Sequence, residues 1–129
     1  MARRADRLRV LEQETGAVAF AADLTRQEDV DALAAWLAET GPVHALVQIA
    51  GGARGTDRVE DANPVDWQWM FDVNVLSAQR LVAALLPQLR EAAAFDGHAD
   101  TLFVTSTAAV TAYPGGSGYN AAKAAEAMI

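Results

Sequence analysis

VHALVQIA, residues 43–50, is a mainly apolar run that is followed at once by the glycines Gly51 and Gly52. An apolar run without regular polar alternation is typical of a strand that is covered on both faces. Such strands belong to parallel sheets, in which helices connect one strand to the next. Residues 43–50 therefore predict that strands and helices alternate along the chain on both sides.

The sequence before this run predicts two helices and one strand. Residues 4–14 have the spacing of an amphipathic helix, and residues 17–22, AVAFAA, predict a short strand of the same covered type. Thr25 and Glu28 have the spacing of a capping box. They predict the start of a second helix, which a glycine-proline pair ends before the next strand.

The sequence after the glycines predicts a long helix, a strand and a last helix. Asn63 and Pro64 provide a capping side chain and a proline at the first helical position. Apolar residues then recur at helical spacing, and Pro87 is expected to kink or interrupt the helix near its end. Residues 101–105, TLFVT, predict a strand, and residues 117–129 predict a helix.

The order of these elements predicts an α/β fold with a doubly wound, Rossmann-like parallel sheet. No repeat or linker divides the chain, so residues 1–129 are expected to form a single domain. That domain is expected to be partial, because such folds normally carry a glycine-rich phosphate-binding turn after their first strand. The glycines of residues 51–55 do not supply the turn, since no amphipathic helix follows them before Pro64.

Composition argues against several functions. The 129 residues have a formal net charge of −7, which argues against a general nucleic-acid binder. No apolar run approaches the roughly 20 residues of a membrane span, and the N-terminus does not resemble a signal peptide. There is no cysteine, and His44 and His98 are too isolated for a metal site. A cytoplasmic protein without a bound metal is expected.

Tyr119 and Lys123 are candidates for acid-base catalysis. They stand at positions i and i+4 of a predicted helix, so they share one helical face. A free phenol has a pKa of about 10, too high for a good base near neutrality. A nearby ammonium stabilises the phenolate, so that a tyrosine can serve as a general acid and base. On spacing alone, a surface tyrosine that stacks on a lysine stem is the commoner arrangement.

Ser106 and Asn74 are two further candidates. Ser106 follows the predicted strand 101–105, and open parallel sheets bind ligands at the carboxyl ends of their strands. Its hydroxyl either holds a substrate carbonyl oxygen or satisfies backbone groups of its own loop. Asn74 lies on the apolar stripe of the long helix, where a buried amide must find partners. It either supports the chemistry or braces the backbone.

The residues at these strand ends and in these helices, taken in order, resemble the pattern of the classical short-chain dehydrogenases/reductases. The matching residues are Asp23, Ala50, Gly51, Asn74, Ser106, Tyr119 and Lys123. The resemblance implies that Tyr119 exchanges a proton with the substrate and that Lys123 assists the phenol and binds the nicotinamide ribose. It also implies that Ser106 positions the carbonyl group and that Asn74 supports a water-linked proton relay.

The resemblance implies further contacts with a nicotinamide cofactor. Asp23 matches the acidic residue that contacts the adenine amine, and Leu24 lies beside it. Ala50 and Gly51 match the end of an Asn-Asn-Ala-Gly turn, whose two asparagines are replaced here by glutamine and isoleucine.

Two arginines decide the expected form of the cofactor. Arg3 and Arg4 fall where NADP-preferring members hold the 2′-phosphate, and no acidic residue precedes them. NADP is therefore the expected cofactor, with NAD possible. A solvated arginine at the start of a helix is the alternative interpretation of either residue.

The function implied by the resemblance is hydride transfer between nicotinamide and a small-molecule alcohol or ketone. The intact protein is expected to be a homo-oligomer that pairs through its long helix and the helix that begins near Ser117, as members of the family do. Two alternatives remain: a non-catalytic remnant that only associates with other subunits, and an epimerase or dehydratase of the extended branch. The fragment alone is expected to be inactive.

Overall fold

The computed structural model describes residues 1–129. Its elements follow one another in the order α1 Ala5–Thr15, α2 Gln27–Thr40, β1 Ala45–Gln48, α3 Pro64–Phe71, a π-helical segment Asp72–Leu76, α4 Ser77–Asp96, β2 Asp100–Phe103 and α5 Ser117–Glu126. A short 3₁₀ turn, Thr107–Ala109, precedes α5. No helix is both long enough and apolar enough to cross a membrane.

The sheet consists of two parallel strands. β1 and β2 pair from Ala45 with Asp100 to Gln48 with Phe103. Val104 continues the ladder, because its N–H donates to the carbonyl of Gln48 over 2.9 Å. The prediction of parallel strands joined through a helix is confirmed, although both strands are shorter than residues 43–50 and 101–105.

The predicted strand at residues 17–22 is wrong. Only a single parallel bridge joins Ala21 to Ala2. The N–H of Ala2 donates to Phe20 over 3.4 Å, and the N–H of Ala22 donates to Ala2 over 3.0 Å. The neighbouring backbone enters α1 at Ala5, so it offers too few extended residues for a longer ladder. The run is also not covered on both faces as predicted, because Val18 is 74% exposed and only Ala22 is buried.

The core lies between β1 and two helices. It is formed by Leu24 with residues of α2, β1 and α4, namely Val30, Leu33, Leu46, Leu81, Leu85 and Leu89. Burial of a leucine or valine side chain stabilises a fold by roughly 1.5–3 kcal/mol, so this cluster fixes α2 and α4 against the strand. The α/β class with parallel strands is confirmed.

The predicted capping box at the start of α2 is wrong. The helix begins at Gln27, and Arg26 precedes it without a side-chain cap. The hydroxyl of Thr25 donates instead to Oδ1 of Asp23 over 2.8 Å. Because the threonine hydroxyl is engaged on the turn before the helix, it does not reach the free N–H groups of the first helical turn.

The long helix begins as predicted and differs further along. Oδ1 of Asn63 accepts from the N–H of Val65 over 3.0 Å, with Pro64 at the first helical position. The π-helical segment was not predicted, because its wider hydrogen-bonding pattern leaves no mark on the apolar spacing. Pro87 was predicted to kink or interrupt the helix, and the predicted interruption is wrong. α4 continues through it to Asp96, as buried leucines on both sides of the proline hold the helix on the core.

α5 closes the carboxyl end of the strand pair. It packs on α3, on the π-helical segment and on the 3₁₀ turn that follows β2. It begins at Ser117 as predicted but ends at Glu126, so the predicted helix was three residues too long at the end of the chain.

Candidate active site

The side-chain amide of Asn74 holds the loop that follows β1. This residue is fully buried in the π-helical segment. Its Nδ2 donates to the carbonyls of Gly52 and Met70 over 2.8 and 2.7 Å, and its Oδ1 accepts from the N–H of Gly52 over 3.1 Å. Of the two roles considered for Asn74, these contacts show the bracing one. The water-linked relay stays a prediction.

Lys123 is buried at the carboxyl ends of both strands. Its Nζ lies 3.5 Å from the carbonyl oxygen of Val104 and 2.6 Å from Oε2 of Glu126. The ammonium is also 6.0 Å from the centre of the Tyr119 ring. Tyr119 and Lys123 therefore do share one face of α5, as their spacing predicted.

Gly51 is the point at which Asn74 and Lys123 meet. A Cβ atom at Gly51 would lie 2.6 Å from Oδ1 of Asn74 and 3.2 Å from Nζ of Lys123. Neither atom belongs to a side chain that can easily move, since the amide is fixed by its hydrogen bonds and the ammonium by its ion pair. The close approach therefore requires glycine at this position.

Ser106 begins the 3₁₀ turn that faces α5. Its Oγ accepts from the N–H of Ala108 over 3.1 Å, so the oxygen satisfies a loop backbone group. Asn120 fastens the same loop to α5, because its Nδ2 donates to the carbonyls of Ala108 and Thr111 over 2.6 and 3.0 Å. Asn120 was not predicted as a site residue. Its position directly after Tyr119 was the only available signal.

Tyr119 is half-buried at the start of α5. It lines a narrow recess together with residues of α3 and of the glycine-rich loop, among them Trp67, Met70 and Arg54. The close packing of α5 on α3 passes through Gly118, where an added Cβ would collide with Met70 and touch Trp67. Tyr119 is thereby placed between the sheet end and the loop.

A cavity of about 470 Å³ lies on the other side of Gly51. Most of the residues assigned to the cofactor line it, namely Arg3, Asp23, Leu24, Ala50 and Gly51. Arg4 is not part of this lining and is exposed at the N-cap of α1. Tyr119 and Lys123 also lie outside the lining, so Gly51 alone of these residues borders both the cavity and the lysine.

Asp23 is kept ionised at the rim of this cavity. Its Oδ1 accepts from both the N–H and the hydroxyl of Thr25, over 3.0 and 2.8 Å. These hydrogen bonds lower the pKa of Asp23, and the positive charges of Arg3 and Arg26 lower the pKa further. The cavity therefore has a negative group and the positive Arg3 close to each other.

Two buried polar residues near the site were not predicted. Gln48 is buried on β1, and its Nε2 is 3.4 Å from the carbonyl of Ala50. Glu126 is buried against Lys123, and its position three residues later in the helix was the available sequence signal. His44 contacts neither residue and instead bonds Asp96 over 2.7 Å.

Comparison with known proteins gives the family. The short chain dehydrogenase family model matches residues 1–129. An uncharacterized oxidoreductase of Mycobacterium tuberculosis is 45% identical over all 129 residues, which are 49% of its length. Benzil reductase ((S)-benzoin forming) of Saccharomyces cerevisiae is 32% identical over 126 residues, covering 92% of this chain and 47% of the yeast protein.

A solved structure agrees with the fold. The alcohol dehydrogenase from the archaeon Thermococcus sibiricus, complexed with 5-hydroxy-NADP, superposes with a TM-score of 0.83 at 28% identity. The match covers 97% of this chain and 54% of the archaeal one. The chain thus spans about half the length of the relatives it matches. Its sequence, its parallel strands and the family model agree that the chain belongs to the short-chain dehydrogenase/reductase family of oxidoreductases.

Proposed function

We propose that the chain carries the catalytic centre of an NADP-dependent oxidoreductase that acts on a small-molecule alcohol or ketone. The observation that supports this best is the position of Gly51. The large cavity lies on one side of it, and the buried ammonium of Lys123, 6.0 Å from the Tyr119 ring, lies on the other. A cofactor in the cavity would therefore lie against one side of the Gly51 backbone, with the Lys123 ammonium of α5 against the other side.

The residues around the cavity are suited to a dinucleotide cofactor that carries a phosphate. A guanidinium such as that of Arg3 forms strong, paired hydrogen bonds to a phosphate. The carboxylate of Asp23 is an acceptor suited to an adenine amine, and the bare backbone of Gly51 allows close approach of a ligand. When bound, the nicotinamide would give or take the hydride.

Tyr119 is assigned the proton transfer to or from the substrate oxygen. The ammonium of Lys123 lies 6.0 Å from the centre of the Tyr119 ring. A tyrosine hydroxyl both donates and accepts hydrogen bonds, so it can release a proton in one direction and regain it in the other. Ser106 uses its oxygen to accept a backbone bond, which leaves its own O–H free to donate to a carbonyl oxygen.

The relatives support the choice of substrate and cofactor classes. The yeast relative is named for the reduction of benzil to (S)-benzoin, and the archaeal structure holds an NADP derivative. Benzil and NADPH are therefore suitable probes for a full-length protein that contains the segments which the relatives have and this chain lacks.

The experiment that tests the proposal is the replacement Tyr119→Phe in that full-length protein. Loss of the hydroxyl should reduce benzil turnover by about 10²- to 10⁴-fold, the usual contribution of a general acid, while NADPH binding stays close to that of the parent. Tyr113→Phe is the matched control, because Tyr113 is an exposed tyrosine that precedes the helix. Turnover by Tyr119→Phe within a few-fold of the parent would refute the assignment.

A further inference from the structure

We propose that Glu126 is the positioning residue of the active-site lysine: its carboxylate holds the ammonium of Lys123 beside Gly51 and Tyr119. This inference deepens the proposed function and rests on it. It starts from a buried ion pair, in which Nζ of Lys123 and Oε2 of Glu126 are 2.6 Å apart and the side chains are 4% and 1% exposed.

The burial of both partners is the first argument. Lysine and glutamate are almost never fully buried unless they are paired, because the charged forms lose their hydration. Lys123 is also the only lysine among ten basic residues, so the chain uses a compact ammonium at this one place. A pair of this kind is a weak source of stability compared with apolar side chains, which favours a role in holding the charge in place.

The direction of the contacts is the second argument. Oε2 of Glu126 is bonded to Lys123, whereas Oε1 is buried and has no partner. The polar contact of Glu126 is therefore made to the lysine alone. On the lysine side, the remaining protein acceptor is the carbonyl of Val104 at 3.5 Å, at the limit of a hydrogen bond.

The geometry of the helix is the third argument. Tyr119, Lys123 and Glu126 lie on one face of α5, at spacings of four and three residues. Four methylene groups give the lysine side chain many rotamers, and a single weak acceptor would not select one. The carboxylate selects the rotamer in which the ammonium lies next to Gly51, and Gly51 is the residue that lines the cavity.

The test compares Glu126→Ala and Glu126→Gln in the full-length protein, with NADPH and benzil as probes. If the ammonium is misplaced, kcat of Glu126→Ala should fall by about 10- to 100-fold, since a displacement of about 1 Å can cost 10²-fold. The KM for NADPH should rise as well, because the same ammonium would bind the cofactor. Glu126→Gln should recover part of both losses, as its amide oxygen still accepts a hydrogen bond.

The matched control is Glu12→Gln on α1. Oε1 of Glu12 accepts from the N–H of Ala19 over 2.6 Å, so the same replacement is made at an equally short hydrogen bond outside the site. Glu12→Gln should keep the kcat and KM values of the parent. A merely structural role of Glu126 would lower the melting temperature and the amount of active enzyme and leave both KM values unchanged, which would overturn the proposal.

A double-mutant cycle completes the test. In a Lys123→Met background, Glu126→Gln should cause no further loss of kcat, because the group on which it acts is gone. Independent, multiplicative losses would overturn the proposal. Parent kinetics in Glu126→Ala, with an active parent enzyme and an inactive Tyr119→Phe, would overturn it and leave the proposed function intact. A parent that does not turn over any carbonyl probe would overturn both.

Discussion

Arg3 and Asp23 bring opposite charges to the same cavity, and this combination has a consequence for cofactor choice. Arg3 lines the cavity and is close enough to Asp23 to lower the pKa of that carboxyl. An arginine held near a carboxylate is partly neutralised until a phosphate arrives. We therefore expect Arg3 to contribute to binding only where a ligand carries a phosphate within its reach.

We predict that Arg3→Ala in the full-length protein weakens NADPH binding by about 1–3 kcal/mol, the value of a hydrogen bond to a charged group. Binding of NADH should change little, because NADH lacks the 2′-phosphate. Fluorescence titration with each cofactor measures the difference. Arg4→Ala is the control, since Arg4 lies outside the cavity lining. Equal losses for NADPH and NADH would mean that Arg3 has a structural role.

Individual residues were predictable from the sequence where spacing alone fixes a contact. The i, i+4 spacing of Tyr119 and Lys123 places them on one face of any helix, so their proximity followed directly. Glu126 was within the same spacing rule, but whether a glutamate faces its lysine or the solvent depends on what covers the helix. The residues that cover this face of α5 come from strand ends that are distant in sequence.

At the scale of elements, the order of helices and strands could be predicted better than the type and bounds of each element. The order of helices and strands after residue 43 followed from apolar spacing, caps and glycines. The prediction of a strand at residues 17–22 is wrong because a strand requires a paired partner strand. The sequence of one apolar run does not show how long that partner is. The π-helical segment was not predicted because it is defined by its backbone hydrogen bonds, which the spacing of apolar residues does not encode.

α4 contains a proline that the helix accommodates. Pro87 is exposed and lies between the buried residues Leu85 and Leu89, so the core holds the helix despite a missing N–H. A proline in a helix interior is about 3 kcal/mol less favourable than alanine, and it recovers about 0.4–1 kcal/mol by restricting the unfolded chain. The helix therefore carries a local energetic penalty.

Removing that proline should stabilise the protein. We predict that Pro87→Ala raises the free energy of unfolding of the full-length protein by up to about 2.6 kcal/mol, the largest difference between these two contributions. Urea denaturation followed by circular dichroism measures it. Pro64→Ala is the matched control, because the first helical position has no intrahelical hydrogen bond to regain. An unchanged or lower stability of Pro87→Ala would contradict the prediction.

At the scale of the whole molecule, the sheet has an open side. β1 pairs with β2 on one side only. On the other side lies the cavity, and two apolar residues in its lining, Val47 and Ile49, are 52% and 65% exposed. In the isolated 129-residue chain, an unpaired edge with exposed apolar side chains is expected to favour association with other copies.

The isolated 129-residue chain should therefore be a poor binder of the cofactor. We predict no NADPH binding in the micromolar range and no measurable benzil reduction, because the sequence has no glycine-rich helix start to hold the pyrophosphate. Isothermal titration calorimetry on the chain and on the full-length protein, in one buffer, makes the comparison. A micromolar dissociation constant for the chain alone would show that the prediction is wrong.

Gly51 also links the two halves of the site thermodynamically. With no side chain at this position, the cavity and the Lys123–Glu126 pair share a wall that is one backbone thick. A ligand that shifts this backbone must change the free energy of the lysine, and a change at the lysine must alter the affinity of the ligand by the same factor. In the proposed site, a replacement that moves the Lys123 ammonium should therefore change the affinity for a ligand in the cavity, and binding of that ligand should change the energy of the replacement by the same amount.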